Sequence, residues 1–155
     1  MSIENESQEN WQPKIVGICC RWCTYAGADL AGISRMNYPA TVRVIRVPCS
    51  GRVNPQFIIR AFQQGADAVF VSGCHPGDCH YSSGNYHARR RLQVLKKLLE
   101  FVGLEPERFQ FYWISGSEGA KFAETMKKID EQIKKLGPNK KLKRSNVFKQ
   151  GDRPA

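Results

Sequence analysis

The sequence lacks the patterns that mark several common classes of protein. It contains no apolar run of about 18 residues, the length that a membrane-spanning helix requires. It also contains no Walker A sequence, no G-x-G-x-x-G after the first predicted strand and no Ser/His/Asp pattern. These absences argue against a membrane span and against a bound nucleotide.

Acidic residues are scarce, with 14 Asp and Glu against 24 Lys and Arg and a formal net charge of +10. Residues 1–13 are the exception, because they carry three glutamates and no basic residue. This acidic start is the opposite of a secretory signal peptide, so we expect the protein in the cytoplasm, where thiols stay reduced. The basic remainder is typical of proteins that bind nucleic acid, an acidic protein partner or an anionic substrate.

The length of 155 residues is sufficient for one domain with its own core. We predict three regions: an acidic extension over 1–13, one domain over 14–137 and a basic tail over 138–155. Inside the domain, apolar runs predict strands, and each run is followed by sequence with helical features. The predicted strands occupy 14–19, 42–47, 66–73 and 109–114. This alternation predicts a flavodoxin-like α/β fold, with about four parallel strands and helices on both faces of the sheet.

Capping signals predict where three of the helices begin. Thr24 is expected to cap the first helix, and Asn54, which is followed by Pro55, is expected to cap the second. Ser115 and Glu118 have the spacing of a capping box before the last helix.

Five of the six cysteines stand just after predicted strands. Cys20 and Cys23 follow the first strand, Cys49 follows the second, and Cys74 and Cys79 follow the third. In an open parallel sheet, sites form outside the carboxyl ends of neighbouring strands, and the usual winding places the first strand between the second and the third. The sequence therefore predicts that five thiols from three separate loops converge on one site.

The choice of metal follows from the ligands. All-sulfur ligation suits an iron–sulfur cluster or a structural zinc ion. Zinc sites usually combine two CxxC-like pairs, whereas here only Cys20 and Cys23 form such a pair. The predicted fold also has its own core and needs no metal for stability. We therefore favour an electron-carrying cluster held by four of the five thiols, with one thiol left over.

Other residues near this site have more ordinary interpretations. Cys19 ends a buried strand, where free cysteine behaves as a small hydrophobe, so we expect it in the core. Trp22 either shields the site from water or packs in the core, and the arginines 89–91 form a solvated helix face. Mixed ligation by histidine, as in Rieske centres, is a further option, although histidines more often hydrogen-bond to sulfur or solvent. The three histidines of the chain are His75, His80 and His87.

Two other functions stay open on the sequence alone. The Cys20-x-x-Cys23 pair at a helix start would suit a thiol–disulfide oxidoreductase, because a helix N-terminus lowers the pKa of a thiol. A zinc-stabilised module that binds nucleic acid would account for the positive charge. We expect the basic surface to meet acidic partner subunits instead, with no nucleic acid bound.

Three motifs resemble the delta-subunit family of methyl-viologen-reducing hydrogenase. They are CRWCTYAGAD from Cys20, RVPCSGRV from Arg46 and GCHPGDCHY from Gly73. The resemblance extends over about 15–136 and includes all five cysteines that follow strands. Cys19 and the basic tail are not part of the family pattern.

The resemblance implies a cofactor and a role. Members of this family carry a [2Fe-2S] cluster, which here would be bound by four of the five cysteines 20, 23, 49, 74 and 79. They relay electrons between a hydrogenase (its small and large subunits) or a formate dehydrogenase and the flavin-containing subunit of heterodisulfide reductase. Membership further implies an electron-bifurcating complex of anaerobes, typically methanogens.

Overall fold

The computed structural model describes residues 11–143. All four predicted strands form, with ends within two residues of the prediction, and each is followed by a helix as expected. In chain order the elements are β1 (Ile15–Cys20), α1 (Thr24–Ile33), β2 (Val42–Val47), α2 (Pro55–Gln63), β3 (Ala68–Gly73), α3 (Gly84–Phe101), β4 (Phe109–Trp113) and α4 (Gly119–Leu136). Short 3-10 turns at Ser50–Arg52 and Pro106–Arg108 precede α2 and β4.

The four strands form one parallel sheet in the order β2-β1-β3-β4, so β1 lies between β2 and β3 as predicted. Ile15 of β1 pairs with Val42 of β2 and with Ala68 of β3, and the strands therefore begin and end at nearly the same level. This register confirms the α/β fold and brings the loops after β1, β2 and β3 to one edge of the sheet.

The helices cover both faces of the sheet and form two apolar cores. Helices α1 and α4 pack on one face, where Phe70, Phe122 and Met126 are completely or almost completely buried. Helices α2 and α3 pack on the other face around Phe62 and Leu92. Each face has its own core because strand side chains alternate between the two sides of a sheet.

The helix starts confirm one capping prediction and correct two. Asn54 caps α2 through its Oδ1 atom, which accepts from the Gln56 amide at 2.9 Å. The N-cap prediction for Thr24 is wrong, because Thr24 is the first residue of α1 and its buried hydroxyl lies 2.9 Å from Ser72 Oγ. This hydroxyl also donates to the Ile114 carbonyl, so it connects α1 to the ends of β3 and β4.

The capping box before α4 forms only in part. Glu118 Oε2 accepts from the Ser115 amide at 2.7 Å, as in a capping box. The helix begins only at Gly119, however, and the Ser115 hydroxyl pairs with Ser117 instead of with the helix amides.

A buried polar network stabilises the amino end of the sheet. The Asp67 carboxylate accepts from the backbone amides of Lys14 and Asn139, each at 2.9 Å. Arg108, whose side chain is 1% exposed, donates to the carbonyls of Asp67 and Gly137. We call Asp67, Arg108 and Asn139 the amino-end network. It joins the segment before β1 to the segment after α4.

Part of the predicted basic tail lies within the described residues. Asn139 is buried and donates to the Ala66 carbonyl, and Leu142 packs against the core between α2, α3 and the sheet. Residues 1–10 and 144–155 lie outside the described residues, so the predicted domain boundaries stay predictions. Between residues 11 and 143, no helix combines the length and the apolar character needed to cross a membrane.

Candidate metal centre

Three buried thiols meet at the carboxyl ends of β1 and β3. Cys20 is the last residue of β1, Cys23 directly precedes α1, and Cys74 directly follows β3. Their Sγ atoms all lie within 4.8 Å of one another. We call these residues the cysteine triad. Because β1 and β3 are neighbours with aligned ends, two sequence-distant segments deliver thiols to one point.

Two further thiols form a pair beside the triad. Cys49 follows β2, and its Sγ atom lies 3.8 Å from Sγ of Cys79 in the loop before α3. The Gly51 amide points at Cys49 Sγ at 3.4 Å, and Cys79 is the least buried of the five thiols. We call Cys49 and Cys79 the cysteine pair.

The triad and the pair are parts of one region. Cys20 Sγ lies 3.8 Å from the carbonyl of Pro48, the residue before Cys49. Burial is the main cause of the raised pKa of Cys49, and the charge of Cys20 contributes to it. The contact with Cys20 is the main cause of the raised pKa of Cys74, and the charge of Cys79 contributes to it. The structure thus brings together all five thiols that the sequence predicted to converge.

The three thiols of the triad influence one another's ionisation. The pKa of Cys20 is lowered mainly by its contacts with the thiols of Cys23 and Cys74. The pKa values of Cys23 and Cys74 are both raised, mainly by the contact with Cys20, and burial contributes to each. Ionisation of one thiol thus opposes ionisation of its neighbours, and a bound cation would favour the thiolate form of all three.

Cys19 is separate from this region. It is completely buried in the core that α1 and α4 form with the sheet, and burial raises the pKa of its thiol to about 12. Its position agrees with the expected role of Cys19 as a core residue.

Buried polar atoms without partners indicate that the region accommodates a further group. Among the described residues, Ser50 Oγ and Asn85 Oδ1 are the two buried side-chain atoms without a hydrogen-bond partner. Ser50 directly follows Cys49. Asn85 donates through its Nδ2 atom to the carbonyls of Cys74 and His75, and so fixes the loop that carries Cys74. Native proteins seldom leave such atoms unpaired unless a bound group or water completes them.

A glycine makes room for the cysteine pair. A Cβ atom on Gly84, the first residue of α3, would lie 2.4 Å from Cys49 Sγ and 3.1 Å from Cys79 Sγ. Only a residue without a side chain allows both thiols to approach the start of α3. With five soft sulfur donors and no oxygen ligand among them, the residues fit an iron–sulfur cluster or another thiophilic metal centre.

The three histidines have partners other than the thiols. His75 Nε2 lies 2.7 Å from Glu118 Oε2, and His87 Nδ1 lies 3.4 Å from the guanidinium of Arg90. His80 stacks on Trp22, with ring centroids 3.8 Å apart. Within residues 11–143, the group of side chains close enough to share one metal ion contains cysteines alone. The structure therefore gives no support to mixed ligation by histidine.

Trp22 covers the outside of the cysteine loops and is not a core residue. Its side chain is 45% exposed, it stacks on His80, and its indole N–H donates to the Tyr81 hydroxyl at 3.2 Å. It thereby joins the loop after β1 to the loop after β3. The expected shielding role of Trp22 agrees with this position, whereas the contact of Trp22 with Tyr81 and that of His75 with Glu118 had no signal in the sequence.

A cavity of about 460 Å³ opens beside the cysteine pair. The residues that line it include Cys49, Gly84, Arg52, His87 and Arg91. Arg91 also donates to the carbonyls of Gly51 and Val53, so it attaches α3 to the loop after β2. The cysteine pair therefore borders a cavity that is lined partly by basic side chains.

Comparison with known proteins agrees with this geometry. Residues 15–137 match the model of the family described as methyl-viologen-reducing hydrogenase, delta subunit. The iron-sulfur subunit of the F420-non-reducing hydrogenase of Archaeoglobus profundus is 61% identical over 132 residues, which cover 85% of this chain and 96% of the relative. The iron-sulfur subunit of the vhc F420-non-reducing hydrogenase of Methanococcus voltae is 58% identical over 130 residues, 84% of this chain and 90% of the relative.

A third relative is a longer protein. It is one of the subunits of the ferredoxin:CoB-CoM heterodisulfide reductase of Methanosarcina mazei, and it is 44% identical over 126 residues. The match covers 81% of this chain but only 16% of that relative.

Proposed function

The chain belongs to the family of the delta subunit of methyl-viologen-reducing hydrogenase, and from this membership and its converging thiols we propose that it is an electron-transfer subunit. Its cofactor is a [2Fe-2S] cluster. It relays electrons between a hydrogenase, or a formate dehydrogenase, and the flavin subunit of heterodisulfide reductase in an electron-bifurcating complex. It works in the cytoplasm, where thiols stay reduced.

The grouping of the thiols is the observation that carries this proposal. A [2Fe-2S] cluster takes four thiolates, two on each iron. The cysteine pair, with its Sγ atoms 3.8 Å apart, suits one iron, and two members of the triad suit the other. The third member of the triad is then the thiol left over. Four of Cys20, Cys23, Cys49, Cys74 and Cys79 hold the cluster, and both members of the pair are among them.

The other residues of the site hold the cysteine loops in place and shield them from water. When bound, the cluster supplies a centre that accepts and releases one electron. Asn85 holds the Cys74 loop in place, and the buried Ser50 hydroxyl, which directly follows Cys49 in the chain, is available to hydrogen-bond to a bound group. Trp22, held by His80 and Tyr81, excludes water from the loops. A rigid, partly buried site of this kind is suited to electron transfer without a substrate pocket at the metal.

The relatives support the proposal that this chain relays electrons between two enzymes. Two are named as subunits of hydrogenases, and the third, named as one of the subunits of a heterodisulfide reductase, contains a matching segment within a longer protein. A domain that occurs in hydrogenases on its own, and in a heterodisulfide reductase as part of a longer chain, is well placed to contact both enzymes. We therefore take a hydrogenase, or a formate dehydrogenase, and heterodisulfide reductase as the two partners.

Anaerobic purification with iron, sulfide and zinc analysis tests the proposal directly. We expect about two irons and two sulfides per chain and a [2Fe-2S] signal in the EPR spectrum after reduction with dithionite. One zinc ion without iron would end the relay proposal and favour the zinc-stabilised module instead.

A thiol–disulfide oxidoreductase is the second candidate function. The observation in its favour is that Cys23 directly precedes α1 while Cys20 and Cys74 lie within 4.8 Å, an arrangement suited to dithiol exchange. Disulfide reductase turnover by metal-free protein would support this candidate, and turnover only at the level of free thiols would remove it.

A further inference from the structure

Helix α3 has an apolar side that no other described part of the chain covers. Its buried side packs Leu92, Leu95 and Leu99 into the core. On the solvent side, Val94, Leu98 and Phe101 are 70%, 52% and 89% exposed. We call Val94, Leu98 and Phe101 the outer row. Single exposed apolar residues are normal on a protein surface, but a contiguous row of them marks an interaction site.

The outer row lies on one line that continues to the candidate metal centre. Its members are spaced at i, i+4 and i+7, so they lie above one another on the helix. The same line continues through Arg90 to His87, which lines the cavity beside Cys49. From His87 to Phe101 the line is about 21 Å long at the rise of an α-helix. It therefore joins the rim of the metal centre to the far end of α3.

The charge on α3 defines what can bind there. The helix contains five basic residues and one acidic residue, Glu100. The basic residues are Arg89, Arg90, Arg91, Lys96 and Lys97. Arg90 and Lys97 flank the outer row and are exposed. A ligand of this surface must bring apolar side chains for the row and acidic side chains for its rim.

We propose that the outer row and the basic residues beside it form the surface on which a partner protein docks, and that this partner presents an apolar segment rimmed by Asp and Glu. The proposal rests on the proposed function, because electron transfer requires the partner to reach the metal centre. A partner seated on this line lies against the cavity at Cys49. A second copy of the chain fits less well, because each copy carries a net charge of +10 and the two would repel.

The test measures binding of the cluster-loaded full chain to the cognate heterodisulfide reductase and hydrogenase, each immobilised separately. Phe101→Asp and Leu98→Asp should weaken binding to one of the two at least tenfold, because buried anchor residues dominate interface energies. The matched control is Ile33→Asp on α1, since Ile33 is 82% exposed and lies on the opposite face of the sheet. It should change the dissociation constant less than twofold.

A charge-reversal arm tests the basic rim. Arg90→Glu combined with Lys97→Glu should slow association about tenfold at low salt and reduce its salt dependence. The control, Lys128→Glu combined with Lys135→Glu, changes the same charge on exposed residues of α4 and should leave the rate close to that of the wild type.

Several results would overturn the docking surface. Binding by Phe101→Asp equal to that of Ile33→Asp would do so. So would a wild-type homodimer that Phe101→Asp dissociates, or wild-type binding to phosphatidylglycerol vesicles that the same change abolishes. Iron and sulfide analysis of every variant separates this outcome from failure of the proposed function. A chain with a full cluster and unaltered docking rejects the surface alone, whereas a chain without iron rejects the relay.

Discussion

The two ends of the sheet use buried polar groups in opposite ways. At the amino end, Asp67, Arg108 and Asn139 find their hydrogen-bond partners within the chain. At the carboxyl end, Ser50 Oγ and Asn85 Oδ1 lack partners among the described residues, and five thiols meet in one region. The amino end is thus complete as folded, whereas the carboxyl end has the composition of a site that a bound group completes.

This contrast predicts that stability and cofactor binding can be changed separately. Substitutions at the amino end should lower the free energy of unfolding and leave the metal content unchanged. Substitutions of the thiols should remove the metal and leave the two cores intact, because neither core contains a cysteine of the triad or the pair.

Loss of a cysteine in the pair is the largest expected effect. Cys49→Ser and Cys79→Ser should each abolish the [2Fe-2S] EPR signal, because a hydroxyl is a poor replacement for an iron-bound thiolate. Of the three single serine variants in the triad, only one should keep a full cluster. Cys19→Ser is the control and should retain the wild-type signal. A full cluster in both pair variants would contradict the assignment of the pair.

Removal of Arg108 should have the largest effect on stability. Arg108→Met leaves the carbonyls of Asp67 and Gly137 without their donors, so we expect a loss of about 2–4 kcal/mol in the free energy of unfolding. Urea denaturation under anaerobic conditions measures it. The exposed Arg89, changed to Met, should cost less than about 0.5 kcal/mol. If Arg108→Met lost iron while it was still fully folded, stability at the amino end and metal binding at the carboxyl end would not be independent.

A methyl group on Gly84 should disturb the cysteine pair without removing a ligand. Gly84→Ala places a carbon 2.4 Å from Cys49 Sγ, so the thiol or the start of α3 must shift. We expect partial iron occupancy, a broadened EPR signal and a loss of about 1–3 kcal/mol. Gly32→Ala is the matched control, because a Cβ there meets no atom within 4 Å, and in a helix it should be neutral or stabilising.

The contact between Glu118, which directly precedes α4, and His75 in the Cys74 loop should give a small acid-dependent effect. The Ser115 amide and then His75 lower the pKa of Glu118 from 4.5 to about 2. A carboxyl group with a lowered pKa stabilises the fold above its ordinary pKa, and that contribution is lost as the pH falls from about 4.5 through 2. In the metal-free chain the unfolding midpoint should therefore fall less steeply with decreasing pH in Glu118→Gln than in the wild type. An equal decline in Glu118→Gln and in the wild type would contradict this, and the exposed Glu124→Gln serves as control.

The sequence predicts the sheet and the thiol site well because both depend on local patterns. Each strand is rich in apolar residues, and Cys20, Cys49 and Cys74 stand at or just after the ends of strands whose parallel order is usual for this alternation. Knowledge of the ends of β1, β2 and β3 was therefore sufficient to predict that their loops meet. The interior position of Cys19 follows from the same alternation of side chains along a strand.

The remaining features depend on contacts between distant residues. Asp67 and Asn139 are 72 residues apart, and neither has a neighbour in sequence that indicates their contact. The role of Thr24 was misjudged because its hydroxyl finds Ser72 and Ile114 across the sheet, and these tertiary partners override its usual capping role. Trp22 likewise meets His80 only once two loops lie side by side.

Because of the amino-end network, this domain is also suited to transfer into another protein. Asp67 binds the amides of both Lys14 and Asn139, so the polypeptide enters and leaves the fold at the same end of the sheet. The thiols occupy the other end. A designer can therefore insert residues 11–143 into a loop of another protein, or anchor them to an electrode through either flank, and the face that exchanges electrons will point away from the attachment.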